Sequence, residues 1–214
     1  MADRELRRPV LGKRPSLPGI ADSSPRTWSD SLGAMPRFIA FLRAINVGGH
    51  VVKMEALRDY FSVLGCRDVE TFIASGNVIF RNATKDPAIL EKKIAQRLSR
   101  ELGYPVATFL RSDAVLEKIA AHQPFPAGDL AVDGARLYIG FLGCVLKPEA
   151  RRKLETQESA SDDFHVHDRE VYWLCRAKFT DSKYSGGLIE KILGVPATFR
   201  NVNTVRKLVA KYPP

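Results

Sequence analysis

Hydrophobic positions in the first half of the chain switch between strand and helix periods in a regular order. Short apolar runs predict strands, while apolar residues at three- and four-residue spacing predict helices that end at Gly65 and Gly103. The predicted elements are, in chain order, a strand at 37–43, a helix at 54–64, strands at 69–74 and 78–81, a helix at 87–102 and a strand at 106–110. This βαββαβ order is the ferredoxin-like arrangement.

The second half of the chain repeats this order after a linking helix predicted at 112–121. Its predicted elements are a strand at 136–142, a helix at 148–156, strands at 163–167 and 171–176, a helix ending at Gly194, a strand at 197–200 and a final helix at 202–211. We therefore predict an α+β protein with two ferredoxin-like βαββαβ subdomains in tandem, a linking helix and a C-terminal helix.

Residues 1–34 differ from the rest, because they hold four of the 13 prolines and sustain neither period. We predict a disordered tail at 1–34, a first subdomain with the linking helix at 35–122, and a second subdomain with the C-terminal helix at 123–214. Met35 stands directly before the first predicted strand and marks the boundary. The alternative is a targeting presequence, which the acidic residues of this segment disfavour.

Composition and charge narrow the function classes. The 214 residues are 45% hydrophobic, which excludes a protein disordered throughout, and the net charge of +9 favours anionic partners. No apolar run reaches the ~20 residues of a membrane helix, so we expect no membrane partner. Three widely separated cysteines without a CxxC pair, and no secretory signal pattern, predict reduced thiols in the cytoplasm.

Two glycine-bearing loops are expected at the same end of the first sheet. In the strand order 4-1-3-2, the loop after the first strand and the turn between the second and third strands emerge side by side. Backbone N–H groups, asparagine amides and a lysine at that end suit an anion. The residues of this predicted rim are Asn46, Gly48 and Gly49 in the loop, Lys53 before the helix, and Ser75, Gly76 and Asn77 in the turn.

The glycines of the rim have a second interpretation, in which they serve turn geometry alone. Neither the phosphate-loop pattern GxxxxGK[ST] nor the dinucleotide pattern GxGxxG occurs in the chain. We therefore predict no cofactor.

Arg200 and Asn201 stand directly before the C-terminal helix. A guanidinium beside a helix N-terminus suits a carboxylate or phosphate group. The alternative is that Arg200 pairs with an acidic residue of the neighbouring subdomain and that Asn201 is an ordinary N-cap.

His165 and His167 lie two residues apart on a predicted strand, so both rings share one face at metal-binding distance. The sequence shows no third ligand near them. We therefore predict no metal site.

Several motifs, in the correct order, resemble a bacterial family known as domain of unknown function 1697. They are FLRAINVGG followed by Lys53 and Met54, ASGNVIF, a strand ending in Arg111, Ser182 with Lys183, and LGVPATFRNVNTVRKL. The resemblance covers residues 36–210 and implies a two-subdomain α+β fold, but no particular activity. The site positions that it implies are Arg43, Asn46, Gly48, Gly49, Ser75, Gly76, Asn77, Ser182, Lys183, Arg200, Asn201 and Asn203.

Three function classes remain open at this point. The preferred one is a binding protein for an anionic small molecule or nucleic acid, with a nucleotide or nucleic-acid phosphate as the guest. The second is an enzyme acting on a small phosphorylated or carboxylated metabolite that Asn46, Asn77, Lys183 and Arg200 orient, although no nucleophile or general base is identified. The third is a structural or protein-interaction module in which the glycines and asparagines serve turns only.

Overall fold

A computed structural model describes residues 35–45, 51–73, 76–157, 159–176 and 182–214. The tail predicted at 1–34 lies outside the described residues. Contacts join the described residues into one compact unit. Among the described residues, no helix combines the length and the apolar character needed to cross a bilayer.

Eight strands form two four-stranded antiparallel sheets in the described part of the chain. The strands are β1 (Arg37–Leu42), β2 (Arg67–Thr71), β3 (Asn77–Arg81), β4 (Thr108–Ser112), β5 (Arg136–Leu142), β6 (Asp162–His167), β7 (Glu170–Cys175) and β8 (Ala197–Asn201). The first sheet has the order β2-β3-β1-β4 and the second β6-β7-β5-β8. Both therefore have the strand order expected from the sequence.

Seven helices accompany the sheets in the same described residues. They are α1 (Met54–Ser62), α2 (Pro87–Leu102), α3 (Asp113–Ala121), α4 (Ala127–Leu130), α5 (Pro148–Glu155), α6 (Gly186–Leu193) and α7 (Val202–Lys211). The predicted α+β class with two tandem βαββαβ units is confirmed. Each unit, called a repeat below, is followed by a further helix, α3 or α7, and the short helix α4 lies between α3 and the second repeat.

Alternation along β1 places its side chains in two different cores. Ile39 and Phe41 lie in the central core, which both sheets share. Phe38, Ala40 and Leu42 lie in the first outer core, together with apolar residues of α1 and α2.

The second sheet divides its side chains in the same way. Ile139 and Phe141 of β5 lie in the central core, while Leu142 and Trp173 lie in the second outer core with residues of α5 and α6. Helices α3 and α7 pack against each other and add their apolar faces to the central core. The two repeats are therefore joined by a continuous hydrophobic core.

Helix α2 shows how local sequence sets an element. The Asp86 carboxylate accepts from the backbone N–H of Ala88 at 2.9 Å, and Pro87 occupies the first turn, where its missing N–H costs no hydrogen bond. The helix ends at Gly103, which has a φ of 77° that glycine adopts without strain. Its start and end are therefore as predicted.

Several local features differ from the sequence-based expectation. Strand β2 spans Arg67–Thr71, where the sequence predicts 69–74. Strand β4 begins at Thr108, two residues late, and continues to Ser112 because Ser112 still pairs with Phe38 of β1. Asn77 begins β3 instead of lying in the turn. Helix α4 was missed because its four residues are too few to show a helical period.

The two repeats meet at a stacked pair of phenylalanines. The rings of Phe41 and Phe141 have centroids 3.8 Å apart and planes 6° apart. The Arg200 Cζ lies over the Phe41 ring at 5.9 Å, and the Arg111 Cζ lies over the Phe141 ring at 5.6 Å. Two cations thus flank two stacked rings, an arrangement that the negative faces of the rings favour.

Arg111 and Arg200, which we call the reciprocal arginines, each bind the first strand of the other repeat. Arg111 Nη2 donates to the Leu142 carbonyl at 3.0 Å, and Arg200 Nη2 donates to the Leu42 carbonyl at 3.0 Å. Arg111 Nε also donates to Glu170 Oε1 at 2.6 Å. Burial is the main cause that lowers the pKa of Arg111, and it lowers that of Arg200 to about 10.

A second reciprocal contact involves a glutamate in the second helix of each repeat. Glu91 accepts from the backbone N–H of Leu110 at 2.7 Å and lies 3.8 Å from Arg169. Glu190 accepts from the backbone N–H of Ala197 at 2.7 Å and pairs with Arg43. Each glutamate therefore ties its own last strand to an arginine of the other repeat.

We expect Glu170→Gln to lower the free energy of unfolding by about 3 kcal/mol, because it leaves the Arg111 guanidinium buried without its charged partner. The matched control is Asp68→Asn, since Asp68 is the exposed partner of Arg81 at 3.6 Å and its loss costs less than about 1 kcal/mol. Urea unfolding followed by circular dichroism measures both. Equal losses would show that the buried pair matters no more than the surface pair.

Candidate functional site

The two parts of the predicted rim, the loop after β1 and the turn before β3, are neighbours, as the topology requires. The Leu42 backbone N–H donates to the Gly76 carbonyl at 2.8 Å. Gly76 has a φ of +75°, and a Cβ added to it would lie 3.1 Å from the Cβ of Ile45. The chain leaving β1 therefore touches the turn before β3. The other predicted rim residues in these loops, Asn46, Gly48, Gly49 and Ser75, lie outside the described residues.

Asn77 and Arg200 meet at this end of the sheet, below the surface. Arg200 Nε donates to Asn77 Oδ1 at 2.7 Å, and Asn77 Nδ2 donates to the Phe72 carbonyl at 2.9 Å. Arg200 Nη1 also donates to Thr198 Oγ1 at 2.8 Å. Asn77 is only 1% exposed. Arg200 thus reaches the neighbouring repeat through an amide, where the alternative interpretation expected an acidic residue.

The two other predicted cations near the rim differ in their surroundings. Arg43 makes a two-pronged ion pair with Glu190, with Nε–Oε1 at 2.6 Å and Nη2–Oε2 at 2.8 Å. This hydrogen bonding raises the pKa of Arg43. Lys53 directly precedes α1, and its side chain is exposed. Of the two, Lys53 is the cation that a solvent anion reaches most readily.

Ser182 and Lys183 lie beside the second outer core. Ser182 Oγ donates to Asp162 Oδ1 at 2.7 Å, and the same carboxylate atom accepts from Trp173 Nε1 at 2.8 Å. Lys183 is exposed, with Nζ 5.1 Å from the centre of the Tyr184 ring. Among the described residues, the hydrogen-bond partners of Ser182 lie in the second repeat, so the structure groups Ser182 with Asp162 and not with Asn77 and Arg200.

Asn201 and Asn203 lie at the start of α7. Asn201 Oδ1 accepts from the Asn203 backbone N–H at 2.9 Å, which confirms that Asn201 is the N-cap. Both residues line a cavity of about 170 Å³. Two exposed arginines line it as well, Arg136 from the start of β5 and Arg206 from the second turn of α7. We call this cavity the α7 pocket.

In the first repeat, a carboxylate of the chain occupies the N-terminus of α3, which corresponds to the N-terminus of α7 in the second repeat. Asp113 lies in the first turn of α3, and its carboxylate accepts from the backbone N–H of Ala114 at 2.8 Å. Arg37 Nη1 lies 3.9 Å from the same carboxylate. The first turn of α7 has no acidic residue. The α7 pocket therefore combines a helix N-terminus and two arginines without a carboxylate in that turn.

Sequence reasoning missed Arg136, Arg206 and His122. The two arginines are 70 positions apart and belong to no motif. His122 follows the last residue of α3, and its ring stacks on that of His167 at 4.5 Å between centroids. A helix end and a strand that are distant in sequence have no shared period, so no local signal joins these residues.

We expect Ser182→Ala to lower the free energy of unfolding by about 1–2 kcal/mol, because the buried Asp162 carboxylate loses one donor. Lys183→Ala is the matched control, since its exposed side chain contributes less than about 0.5 kcal/mol. Urea unfolding of the two variants measures the difference. Equal stability of the two variants would show that the Ser182 hydrogen bond does not stabilise the Asp162 carboxylate.

Comparison with known proteins identifies a family and a similar solved structure. The family model described as "Protein of unknown function (DUF1697)" matches residues 35–172. The chain is similar to a structure described as that of conserved bacterial protein SP0830 from Streptococcus pneumoniae. That likeness has a TM-score of 0.63 at 25% sequence identity, over 83% of this chain and 98% of that one. No curated protein matches the chain. The expected resemblance is confirmed, and the chain belongs to the DUF1697 family of proteins of unknown function.

Proposed function

We propose that this protein binds a small anionic ligand through a phosphate or carboxylate group held in the α7 pocket. The observation that carries the proposal is the convergence of Arg136 and Arg206 on the start of α7, beside Asn201 and Asn203. A guanidinium offers up to five N–H donors and favours planar or tetrahedral oxyanions. The positive end of the helix dipole adds to the attraction.

The first repeat supports this choice of ligand. There, a carboxylate of the chain itself, Asp113, sits at the start of α3 beside Arg37. In the second repeat, Val202 opens the helix where Asp113 opens α3. A ligand anion in the α7 pocket would take the role that Asp113 has in the first repeat.

The size of the pocket limits what can enter it. About 170 Å³ is below the ~300–1,000 Å³ of pockets that enclose a drug-sized molecule. The pocket therefore suits a single phosphate or carboxylate group, with the remainder of the ligand outside. A nucleotide phosphate or a small phosphorylated metabolite meets this condition.

Lys53, at the predicted rim, has a second part in the proposed binding of anions. Arg43, Arg111 and Arg200 already direct several donors to groups of the protein. Lys53 is exposed, and it lies next to the loop at which the sequence predicts an anion. We infer that it contributes general attraction for polyanions, whereas the α7 pocket provides the specific contact.

We also infer a reducing compartment such as the cytoplasm. This is supported by Cys66, Cys144 and Cys175, which are free thiols. Burial raises the pKa of Cys66 to about 12, so this thiol stays protonated and unreactive.

Titration calorimetry with pyrophosphate tests the proposed site. We expect Arg206→Ala to weaken binding at least about tenfold, because a charge-assisted hydrogen bond contributes about 1.5–3 kcal/mol. Lys207→Ala is the matched control, since it removes one exposed charge from the same helix but does not line the pocket. It should change the affinity less than twofold.

Equal weakening by Arg206→Ala and Lys207→Ala would contradict a specific pocket. It would indicate binding by net charge alone, which depends steeply on salt concentration. A single-stranded oligonucleotide titrated at two salt concentrations provides that comparison. Strong oligonucleotide binding that Arg206→Ala does not affect would indicate that the protein binds nucleic acid at Lys53 and the rim, and not in the α7 pocket.

A further inference from the structure

Three of the four histidines of the chain converge on one point of the second repeat. His122 follows the C-terminal end of α3, and His165 and His167 lie on β6. One ring nitrogen of each can be chosen so that all three lie within 4.8 Å of one another. The sequence showed two of these residues on one strand face, and the fold supplies the third.

The fold brings the three rings together for identifiable reasons. Phe164 and Val166 of β6 are buried in the second outer core, so the alternation of the strand turns His165 and His167 to the opposite face. The Tyr172 hydroxyl donates to the Ile119 carbonyl of α3 at 3.1 Å and fixes the end of that helix over the sheet. His122 then leaves the helix with extended backbone angles, φ −66° and ψ 130°.

Among the described residues, the His122 imidazole lacks a polar partner at one of its ring nitrogens. His122 Nε2 is buried, and no hydrogen bond satisfies it within the described residues. Burial, followed by the neighbouring His167 and His165, lowers the pKa of His122. Burial is also the largest cause that lowers the pKa of His165. A buried imidazole nitrogen that has no hydrogen-bond partner is available to bind a metal ion.

We propose that His122, His165 and His167 bind a divalent transition-metal ion of the Zn²⁺ type. Imidazole is a preferred ligand of Zn²⁺, Cu²⁺ and Ni²⁺, and three such ligands are a known zinc set. Zn–N bonds of ~2.0–2.1 Å require nitrogen atoms about 3.3 Å apart in a tetrahedral site. Side-chain rotations that move each ring nitrogen by about 1 Å bring the three atoms from their present spacing to this distance.

The surroundings leave room for a fourth ligand. A cavity of about 570 Å³ opens beside the histidines and is lined by His122, His167, Lys118, Asp168 and Tyr172, among others. Asp168 is exposed, with Oδ2 3.7 Å from His167 Nε2. A metal held by three histidines would thus keep an exchangeable position toward solvent, which distinguishes it from a closed structural zinc site. This site does not depend on the α7 pocket, with which it shares no lining residue.

The test uses untagged full-length protein carrying Cys144→Ser, which removes the one exposed thiol among the described cysteines. Zn²⁺ is titrated calorimetrically, and Co²⁺ is followed by its visible absorption. We expect one equivalent of either metal and a Co²⁺ spectrum typical of four or five ligands. Zn²⁺ should also raise the thermal midpoint of the protein.

Three histidine variants and one control decide the assignment. His122→Gln, His165→Gln and His167→Gln should each weaken Zn²⁺ binding at least about tenfold, since loss of even a neighbour of a metal ligand costs about 10–100-fold. The control is His50→Gln, which removes the fourth histidine of the chain and should leave the affinity within twofold.

His167→Gln keeps the test independent of folding, because the His167 side chain is 54% exposed and its loss disturbs no core. Failure of the Cys144→Ser protein, with all four histidines present, to take up Zn²⁺ at micromolar concentration would overturn the proposal. So would Zn²⁺ affinity that survives His167→Gln, or that falls as much with His50→Gln. In those cases the three rings are a stacked aromatic cluster only.

Discussion

The structure depends on two buried arginines that cross between its repeats in opposite directions. Arg111 and Arg200 occupy the same position of β4 and β8, and each donates to the carbonyl that ends the first strand of the other repeat. Between them lie the stacked rings of Phe41 and Phe141. A buried guanidinium is costly unless its donors are used, so both sheets must be in place before either arginine is satisfied. Packing of the central core and these polar contacts therefore favour the same arrangement of the two repeats.

The position of both candidate sites follows from this arrangement. Each reciprocal arginine is followed at once by the N-cap of a helix, Ser112 for α3 and Asn201 for α7. Fixing Arg200 therefore fixes the start of α7 and the pocket of Arg136 and Arg206. Fixing Arg111 sets the direction of α3, whose far end presents His122 to β6. One site thus lies at the start of α7 and the other at the end of α3, both consequences of the same interface.

The order of elements could be predicted from the sequence because hydrophobic period is a local property. The stripe Leu90, Ile94 and Leu98 and its capping residues are enough to define α2. Contacts between sheets have no such period: Arg111 and Glu170 are 59 positions apart, and Arg200 and Asn77 are 123 apart. The visible sign of buried polar contacts was an arginine inside each of two short strands, TFLRS and ATFRN. The partner residues, and the third histidine, emerge only when the chain is folded.

Whether the two repeats unfold together is the most direct test of the shared interface. Trp28→Phe leaves Trp173 as the single tryptophan, and its fluorescence then reports on the second sheet alone. Hydrogen exchange of peptides covering β1 and β4, measured along the same urea series, reports on the first sheet. We expect the two midpoints to coincide, because neither reciprocal arginine is satisfied without both sheets. Loss of protection in β1 and β4 at a urea concentration where Trp173 still has its native fluorescence would contradict this dependence.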